Sequence, residues 1–200
     1  MPTNIQKALE IFIANNGILR SSEAQKLGVH PETINRLVER SLITKEEKGL
    51  YRLIDKEIEE DPDIINVAKL APKAVFCLLT ALSFHGITRE IPRKVYIALP
   101  LGYKEPDISH PPLEVIHLSQ KPYEAGIESH NFSGVAVSIY NEAKTITDCF
   151  KFRKKIGENV AIEALKVYMQ RHNHDVQLLL QYAKINRVRK IMEPYLRALL

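Results

Sequence analysis

In the run Arg20 to Arg40, RSSEAQKLGVHPETINRLVER, the neighbours Asn35 and Arg36 have the side chains best suited to reading an edge of hydrogen-bonding groups. An asparagine amide matches the adjacent donor and acceptor of adenine, and an arginine fork matches two acceptors of guanine. Glu32 could accept from cytosine, whereas Thr33 and Arg40 more simply meet the sugar-phosphate backbone. Lys45, Lys48 and Arg52 follow within a few residues and would reach phosphates, supplying affinity and salt dependence without sequence choice. Ser22 and His30 complete this DNA-facing set. The chemistry is recognition of double-stranded DNA, with Arg36 as the chief specificity residue.

Such side chains need a rigid frame, and the same run encodes one. Ser21 or Ser22 can cap a short helix, Ser22 and Gln25 spelling a capping box, and Ala24 is small enough for a second helix to cross closely. Gly28 ends that helix through positive φ, Val29 drops into the core, and Pro31 opens the next helix with its preset φ. Ile34, Leu37 and Val38 then share one face, leaving Glu32, Thr33, Asn35, Arg36, Glu39 and Arg40 on the other. Upstream, Ile5, Leu9, Phe12 and Ile13 have helical spacing and stop before Gly17. Downstream, Leu42–Lys45, the turn Glu46–Gly49 and Leu50–Leu53 read as a hairpin. These elements predict a winged helix-turn-helix over residues 1–54. The alternative is a small helical module for protein contacts, against which Arg20, Arg36, Arg40, Lys45, Lys48 and Arg52 argue.

Two hundred residues with 45% hydrophobic content suit one or two packed domains. The net charge of +4 is unevenly distributed. Residues 1–54 carry eight Lys or Arg against six Asp or Glu, net +2; residues 55–143 carry eight against thirteen, net −5; residues 144–200 carry twelve against five, net +7. Two basic ends thus flank an acidic middle, as though both ends could meet phosphates. The longest apolar run, near Ala74 to Phe84, falls short of the roughly eighteen residues of a membrane span, and Met1 is followed by no signal-peptide pattern. A cytoplasmic protein with no membrane partner is expected. Cys77 and Cys149, in apolar helical contexts, fit buried reduced thiols.

The charge run Asp55 to Asp63, closed by Pro62, predicts a linker, so the domains expected are 1–54 and 55–200. Helices are predicted over Ile64–Leu70 and Ala74–Phe84, then strands over Lys94–Leu99, Leu113–Leu118 and Val135–Ile139. The remainder reads as helices over about Asn141–Phe152, Glu158–Arg171, His174–Asn186 and Val188 to the C-terminus, with Pro194 near its end. The fold class expected is α+β: an N-terminal winged helix-turn-helix followed by a mixed α/β C-terminal domain with a small sheet and a helical C-terminal part. A second basic surface is expected from Lys151, Arg153, Lys154, Lys155, Lys184, Arg187, Arg189, Lys190 and Arg197. Lys151, Lys154 and Lys155 have helical spacing, and Arg187, Lys190 and Arg197 align if their helix is continuous, with Lys184 extending the stripe. Extra DNA-backbone contact, an acidic or RNA-like partner, or a plain solvated face would each use it.

Enzymatic motifs are missing. The chain has no Walker-type glycine loop, no His-Glu-x-x-His helix and no Gly-x-Ser-x-Gly elbow. Asp61 and Asp63 read as helix-start and linker residues rather than metal ligands, His172 and His174 as a cap and a surface residue, and His85 as a helix-ending residue with a satisfied ring. No catalytic residue, metal or cofactor is expected.

Three stretches, in order, resemble one family. ALSFHGITREIPRKVYIALP (Ala81–Pro100), Ser138–Val167 with its NEAKTITDCFKFRKKIGENVAIEALK core, and the ending RKIMEPYLRALL are similar to the AbiEi-like transcriptional regulators, the antitoxins of type IV (AbiE) toxin–antitoxin systems in phage abortive infection. The resemblance implies a bifunctional, non-enzymatic protein. Its winged helix would bind inverted repeats in its own promoter, and its C-terminal domain would oppose a nucleotidyltransferase-like toxin without a stable complex. Two rivals stand beside this reading: a one-component regulator whose 55–200 domain senses a small molecule, and a nucleic-acid-modifying enzyme, for which a carboxylate cluster is lacking.

Overall fold

Turn and cap chemistry sets the elements of the N-terminal third in the computed structural model, which describes residues 3–54, 61–89 and 92–199. Contacts divide the chain into two units: Met1–Pro72 with Pro106–Pro111 and His130–Val137, and Lys73–Glu105 with Pro112–Ser129 and Ser138–Leu200. The first unit extends past the expected 54/55 boundary because a helix after Asp61 packs back on its sheet. Most of the expected linker, residues 55–60, lies outside the described residues.

In the first unit, Thr3 caps α1 (Asn4–Ala14): its hydroxyl accepts from Gln6 N at 3.3 Å, and Gln6 Oε1 accepts from Thr3 N at 2.8 Å. A three-residue strand, β1 (Ile18–Arg20), leads into α2 (Ser21–Lys26). The helix begins one residue earlier than its serines suggest. Arg20 is the N-cap residue, and the carboxylate of Glu23 accepts from its backbone N–H at 2.9 Å, so the Ser22–Gln25 box is not the one used. Gly28, at φ +89°, ends this segment, and Val29 N–H donates to Ala24 O at 2.9 Å. Pro31 starts α3 (Pro31–Glu39). There follow β2 (Ile43–Glu47), β3 (Leu50–Leu53) and α4 (Pro62–Leu70), the last capped by Asp61, which accepts from Asp63 N at 3.0 Å. The antiparallel sheet has the order β1-β3-β2. β2 runs to Glu47 through a bulge, leaving only Lys48 and Gly49, at φ +77°, in the turn. Ala8, Phe12, Leu19, Ala24, Val29, Ile34, Leu37 and Ile43 form the core.

The other sheet has five strands, most of whose residues lie in the second unit. Its first strand, β4 (Val75–Phe76), occupies what reads in sequence as the start of one apolar helix; only α5 (Leu78–Phe84) is helical. β4 is central, antiparallel to β5 (Val95–Pro100) and parallel to β8 (Val135–Tyr140), so apolar residues face both ways, which erases strand alternation. β6 (Leu113–Leu118) lies parallel to β5, α6 (Gln120–Glu124) follows, and β7 (Ile127–Phe132) completes the order β6-β5-β4-β8-β7. β7 was not expected, because its sequence IESHNF is polar and mostly exposed at a sheet edge. The helices α7 (Glu142–Lys151), α8 (Arg153–Ile156), α9 (Glu158–Met169), α10 (Val176–Ile185) and α11 (Arg189–Leu199) form the rest, Pro194 lying inside α11. Cys77 and Cys149 are buried free thiols, and burial pushes the pKa of both upward.

α7 carries a buried charge. Lys144 is 0% exposed and Asp148 1%, and Lys144 Nζ donates to both carboxylate oxygens at 2.7 and 2.6 Å. The ammonium also lies 4.0 Å from the centroid of the Tyr140 ring. Asn186, just past α10, donates its Nδ2–H groups to Asp148 Oδ1 at 2.7 Å and Thr147 Oγ1 at 2.9 Å. Gly126, at φ +73°, lets the chain pass over this residue; a Cβ there would lie 2.7 Å from Lys144 Cβ. Removing one partner strands the other's charge, so Lys144→Met should cost about 3–5 kcal/mol in urea denaturation. The double variant K144M/D148L, which removes both charges, should be the more stable of the two. A Lys144→Met protein within about 1 kcal/mol of wild type would contradict this account.

Candidate nucleic-acid interface

α3 is anchored by Ile34 and Leu37, 1% and 0% exposed, and this fixes which of its side chains look outward. Glu32, Asn35, Arg36, Glu39 and Arg40 are exposed, and Thr33 is half-buried. Val38, expected in the core, is exposed at the rim instead, because its neighbour Leu37 fills the space beneath the helix. His30 is the N-cap residue of α3 and is exposed, as is Ser22 in the first turn of α2. Arg36 is not idle: its Nη2 donates to Glu32 Oε1 at 2.7 Å across one helical turn. Both side chains are more than half exposed, so the pair is weak and readily exchanged for another acceptor.

The hairpin separates its basic residues by face. Lys45 stands opposite Tyr51 and Thr44 opposite Arg52, and successive side chains on a strand point to opposite faces. Lys45 and Arg52 therefore lie on opposite faces of β2–β3. Arg52 is half-buried, and its Nε and Nη2 donate to Glu46 Oε1 at 2.9 and 2.6 Å. Lys45 and the turn residue Lys48 are exposed. Glu47 is held within the same unit: Ser109 Oγ and His110 N donate to its Oε1 at 2.8 and 2.9 Å. The Ser109 hydrogen bond holds the Glu47 carboxyl below the usual carboxylate range, with the His110 and Lys48 N–H groups adding to it against the opposing effect of burial. Lys69 meets Glu23 at 3.2 Å and ties α4 to α2. The outcome is a helix face bearing Asn35, Arg36 and Arg40, beside a hairpin whose tip carries unpaired lysines.

The C-terminal basic residues do not form the expected stripe. α7 ends at Lys151, and Phe152 separates it from α8, so Lys151, Lys154 and Lys155 do not share one helix. Lys155 pairs with Glu114, Arg153 with Glu158 at 3.9 Å and Arg197 with Glu193 at 2.8 Å. The path between α10 and α11 is also broken, since Arg187 has φ +59° and α11 begins at Arg189. Arg187 is therefore off the helix that carries Lys190 and Arg197. Lys154, Arg189 and Lys190 are exposed, while Lys151, Lys184 and Arg187 line one cavity together with Lys121, a residue absent from the expected set. Only proximity in the fold shows Lys121, because its own segment reads as acidic.

Among the described residues, no group of three His, Cys, Asp or Glu side chains is placed to hold a metal ion. No described helix is long and apolar enough to cross a membrane. His85 Nε2 lies 2.7 Å from Tyr140 O, and His174 Nδ1 lies 2.6 Å from Arg171 O.

Comparison with known proteins adds a likeness of fold and, for the N-terminal residues, a likeness to one family. No curated protein matches the chain. The crystal structure of the RV2827C protein from Mycobacterium tuberculosis is similar over 98% of this chain and 82% of that one, with a TM-score of 0.59 and 12% identity, a likeness of fold. Residues 6–54, spanning most of α1 through β3, match the family model described as a transcriptional regulator, AbiEi antitoxin. The likeness to that family rests on these residues, about a quarter of the chain.

Proposed function

We propose that α2, α3 and the β2–β3 hairpin act as a winged helix-turn-helix on double-stranded DNA. In this reading α3 enters the major groove and the hairpin is the wing. The observation that carries it is the face of α3, where Asn35, Arg36 and Arg40 are exposed above the buried Ile34 and Leu37. Asn35 and Arg36 address base edges, while Ser22, His30, Thr33, Arg40, Lys45 and Lys48 address the backbone. Glu32 orients Arg36 until a guanine replaces it.

The wider role we infer is that of a cytoplasmic, non-enzymatic antitoxin of a type IV abortive-infection system. It would repress its own operon at inverted repeats, and residues 55–200 would oppose a nucleotidyltransferase-like toxin without a stable complex. The AbiEi match over residues 6–54 and the resemblance of the segments at Ala81–Pro100, Ser138–Val167 and the C-terminus support this reading.

Three outcomes test it. Arg36→Ala should weaken binding to the promoter repeats by about 1–3 kcal/mol and relax base preference, with little change on random DNA; equal losses on both in a mobility-shift titration would reject its role as specificity residue. In the dependence of log K on log salt, K45A/K48A should lower the slope by up to about 2, since each phosphate contact contributes about 0.9. Arg52→Ala should leave that slope unchanged, because Glu46 already occupies its guanidinium; a drop as large as that from the lysines would show that Arg52 leaves Glu46 to bind DNA. Growth of cells expressing the adjacent open reading frame under an unrelated promoter should arrest and be rescued by the full chain. A harmless neighbour would remove the antitoxin role while leaving the DNA reading intact.

A further inference from the structure

Carboxylates neutralise many basic side chains of the second unit. Lys94 and Lys155 share Glu114, Arg153 meets Glu158, Lys166 meets Glu163, Arg171 meets Glu142 and Arg197 meets Glu193. Among the described residues several cations, Lys154, Arg189 and Lys190 included, have no carboxylate partner, and four such cations lie together. Among the described residues, Lys121, Lys151, Lys184 and Arg187 have no carboxylate partner within 4.0 Å, and these four line one cavity of about 710 Å³ with no acidic side chain in its wall. That volume lies within the roughly 300–1,000 Å³ of small-molecule sites. Burial holds the Lys151 ammonium below the usual lysine range; the charges of Lys144 and Arg187 act in the same direction and Asp148 against it. A protein that gathers four like charges without a counterion has left that role to something it binds.

The cavity wall also includes a buried amide side chain. Asn186 lines it and is 4% exposed. Its amide orientation is determined by its neighbours. The Asp148 carboxylate can only accept, and the Thr147 hydroxyl already donates to Lys144 O at 2.9 Å, so both require the Nδ2–H groups of Asn186. Asn186 Oδ1 is then left with no donor. Its oxygen is closed off from the cavity space, so the unmade hydrogen bond is a local cost held beside the turn at Arg187 and not a ligand contact. Backbone strain concentrates at the same place: Arg187 has φ +59°, a conformation disfavoured for a residue with a Cβ, and the turn is closed by Val188 N donating to Ala183 O at 2.9 Å. Pro122 and Ile185 supply apolar wall, and Ser119 and Gln181 further polar groups.

We propose that this cavity binds a nucleoside polyphosphate. Its phosphates meet Lys121, Lys151, Lys184 and Arg187, and the sugar or base covers Pro122 and Ile185 beside the polar groups of Ser119 and Gln181. Duplex DNA does not fit the same description, because a double helix cannot enter a recess of about 710 Å³ whose apolar wall calls for a sugar or base. The site is independent of the proposed DNA contacts, since none of its residues belongs to the first unit.

Isothermal titration of the full chain with ATP, GTP, CTP and UTP, alongside inorganic triphosphate, adenosine and a ten-nucleotide single-stranded RNA, tests the assignment. At least one nucleoside triphosphate should bind with a 1:1 stoichiometry, about tenfold or more tighter than inorganic triphosphate or adenosine. K121Q/K184Q, at two exposed positions without ion partners, should weaken that binding at least about tenfold with an unchanged melting temperature, and Lys184→Arg should retain it. Absence of nucleotide binding at millimolar concentration would overturn the proposal, as would binding that ignores K121Q/K184Q. Inorganic triphosphate binding as tightly as the best nucleotide would overturn it too, and so would RNA binding through these lysines in the absence of any mononucleotide affinity.

Discussion

An ion pair sealed from water, Lys144 with Asp148, organises the second unit. Burying both charges is costly, and their mutual attraction offsets this only where geometry is good and remaining hydrogen-bonding capacity is filled. Both conditions hold. The ammonium donates to both carboxylate oxygens and lies over the Tyr140 ring, while the carboxylate receives a further N–H from Asn186. The arrangement is better understood as a positional constraint than as a source of stability. An apolar α7 could rotate or slide against its neighbours at small cost; one carrying this pair has a single orientation in which neither charge is stranded. From that orientation follow the close pass of Gly126 over Lys144 and the placement of Asn186 at the end of α10. The left-handed turn at Arg187 comes directly after, so the cavity wall inherits its geometry from a charge pair that does not itself line the cavity.

The first unit uses carboxylates for the opposite purpose, at its surface. Glu23 closes the start of α2 and meets Lys69, Glu46 engages Arg52, and Glu47 is fixed by Ser109 and His110. Each acid near the hairpin is thereby occupied with local structure. Glu47, held by neutral donors, keeps its charge, and together these contacts stiffen the hairpin that presents Lys45 and Lys48. Glu32 differs in being exposed and paired only along its own helix, so the contact it makes with Arg36 is the one readily exchanged on meeting a base.

Which features were legible in the sequence follows from how locally each is determined. Gly28, Pro31 and the apolar spacing of Ile34 and Leu37 act within a turn or two of chain, and α3 has the bounds they suggest. To within two residues the same holds for α4, β5, β6 and α7, whose apolar periods and flanking breakers are self-contained. Errors arise where distant chain decides. β4 is a strand because β5 and β8 flank it, and its two residues at the head of an apolar run carry no period of their own. β7 is polar and short of any strand signal, its strand state coming from its neighbour β8. The capping of α2 fell to Glu23 over two serines, a competition among local hydrogen bonds that residue type alone leaves open. Arg52 is similar: its charge is plain in the sequence, and its capture by Glu46 depends on which face of the hairpin each occupies.

Charge shows most sharply the difference between composition and site. By sequence, residues 144–200 are the most basic part of the chain at net +7, and residues 55–143 the acidic part at net −5. In the fold those totals dissolve. Acids of the middle segment, Glu114 and Glu142, take up Lys155 and Arg171 of the last, and Lys144 is consumed inside the core by Asp148. Of what survives compensation, Lys154, Arg189 and Lys190 stay exposed, while Lys151, Lys184 and Arg187 from the basic segment gather with Lys121 from the acidic one around a single recess. A uniform basic face attracts any polyanion by long-range field, and salt screens it within about 10 Å at 0.1 M. Four uncompensated cations around a recess with an apolar wall select by shape and contact at short range, which salt weakens far less. The distribution of unpaired charge, rather than its sum, is therefore what separates a surface that merely attracts phosphate from one that distinguishes what carries it.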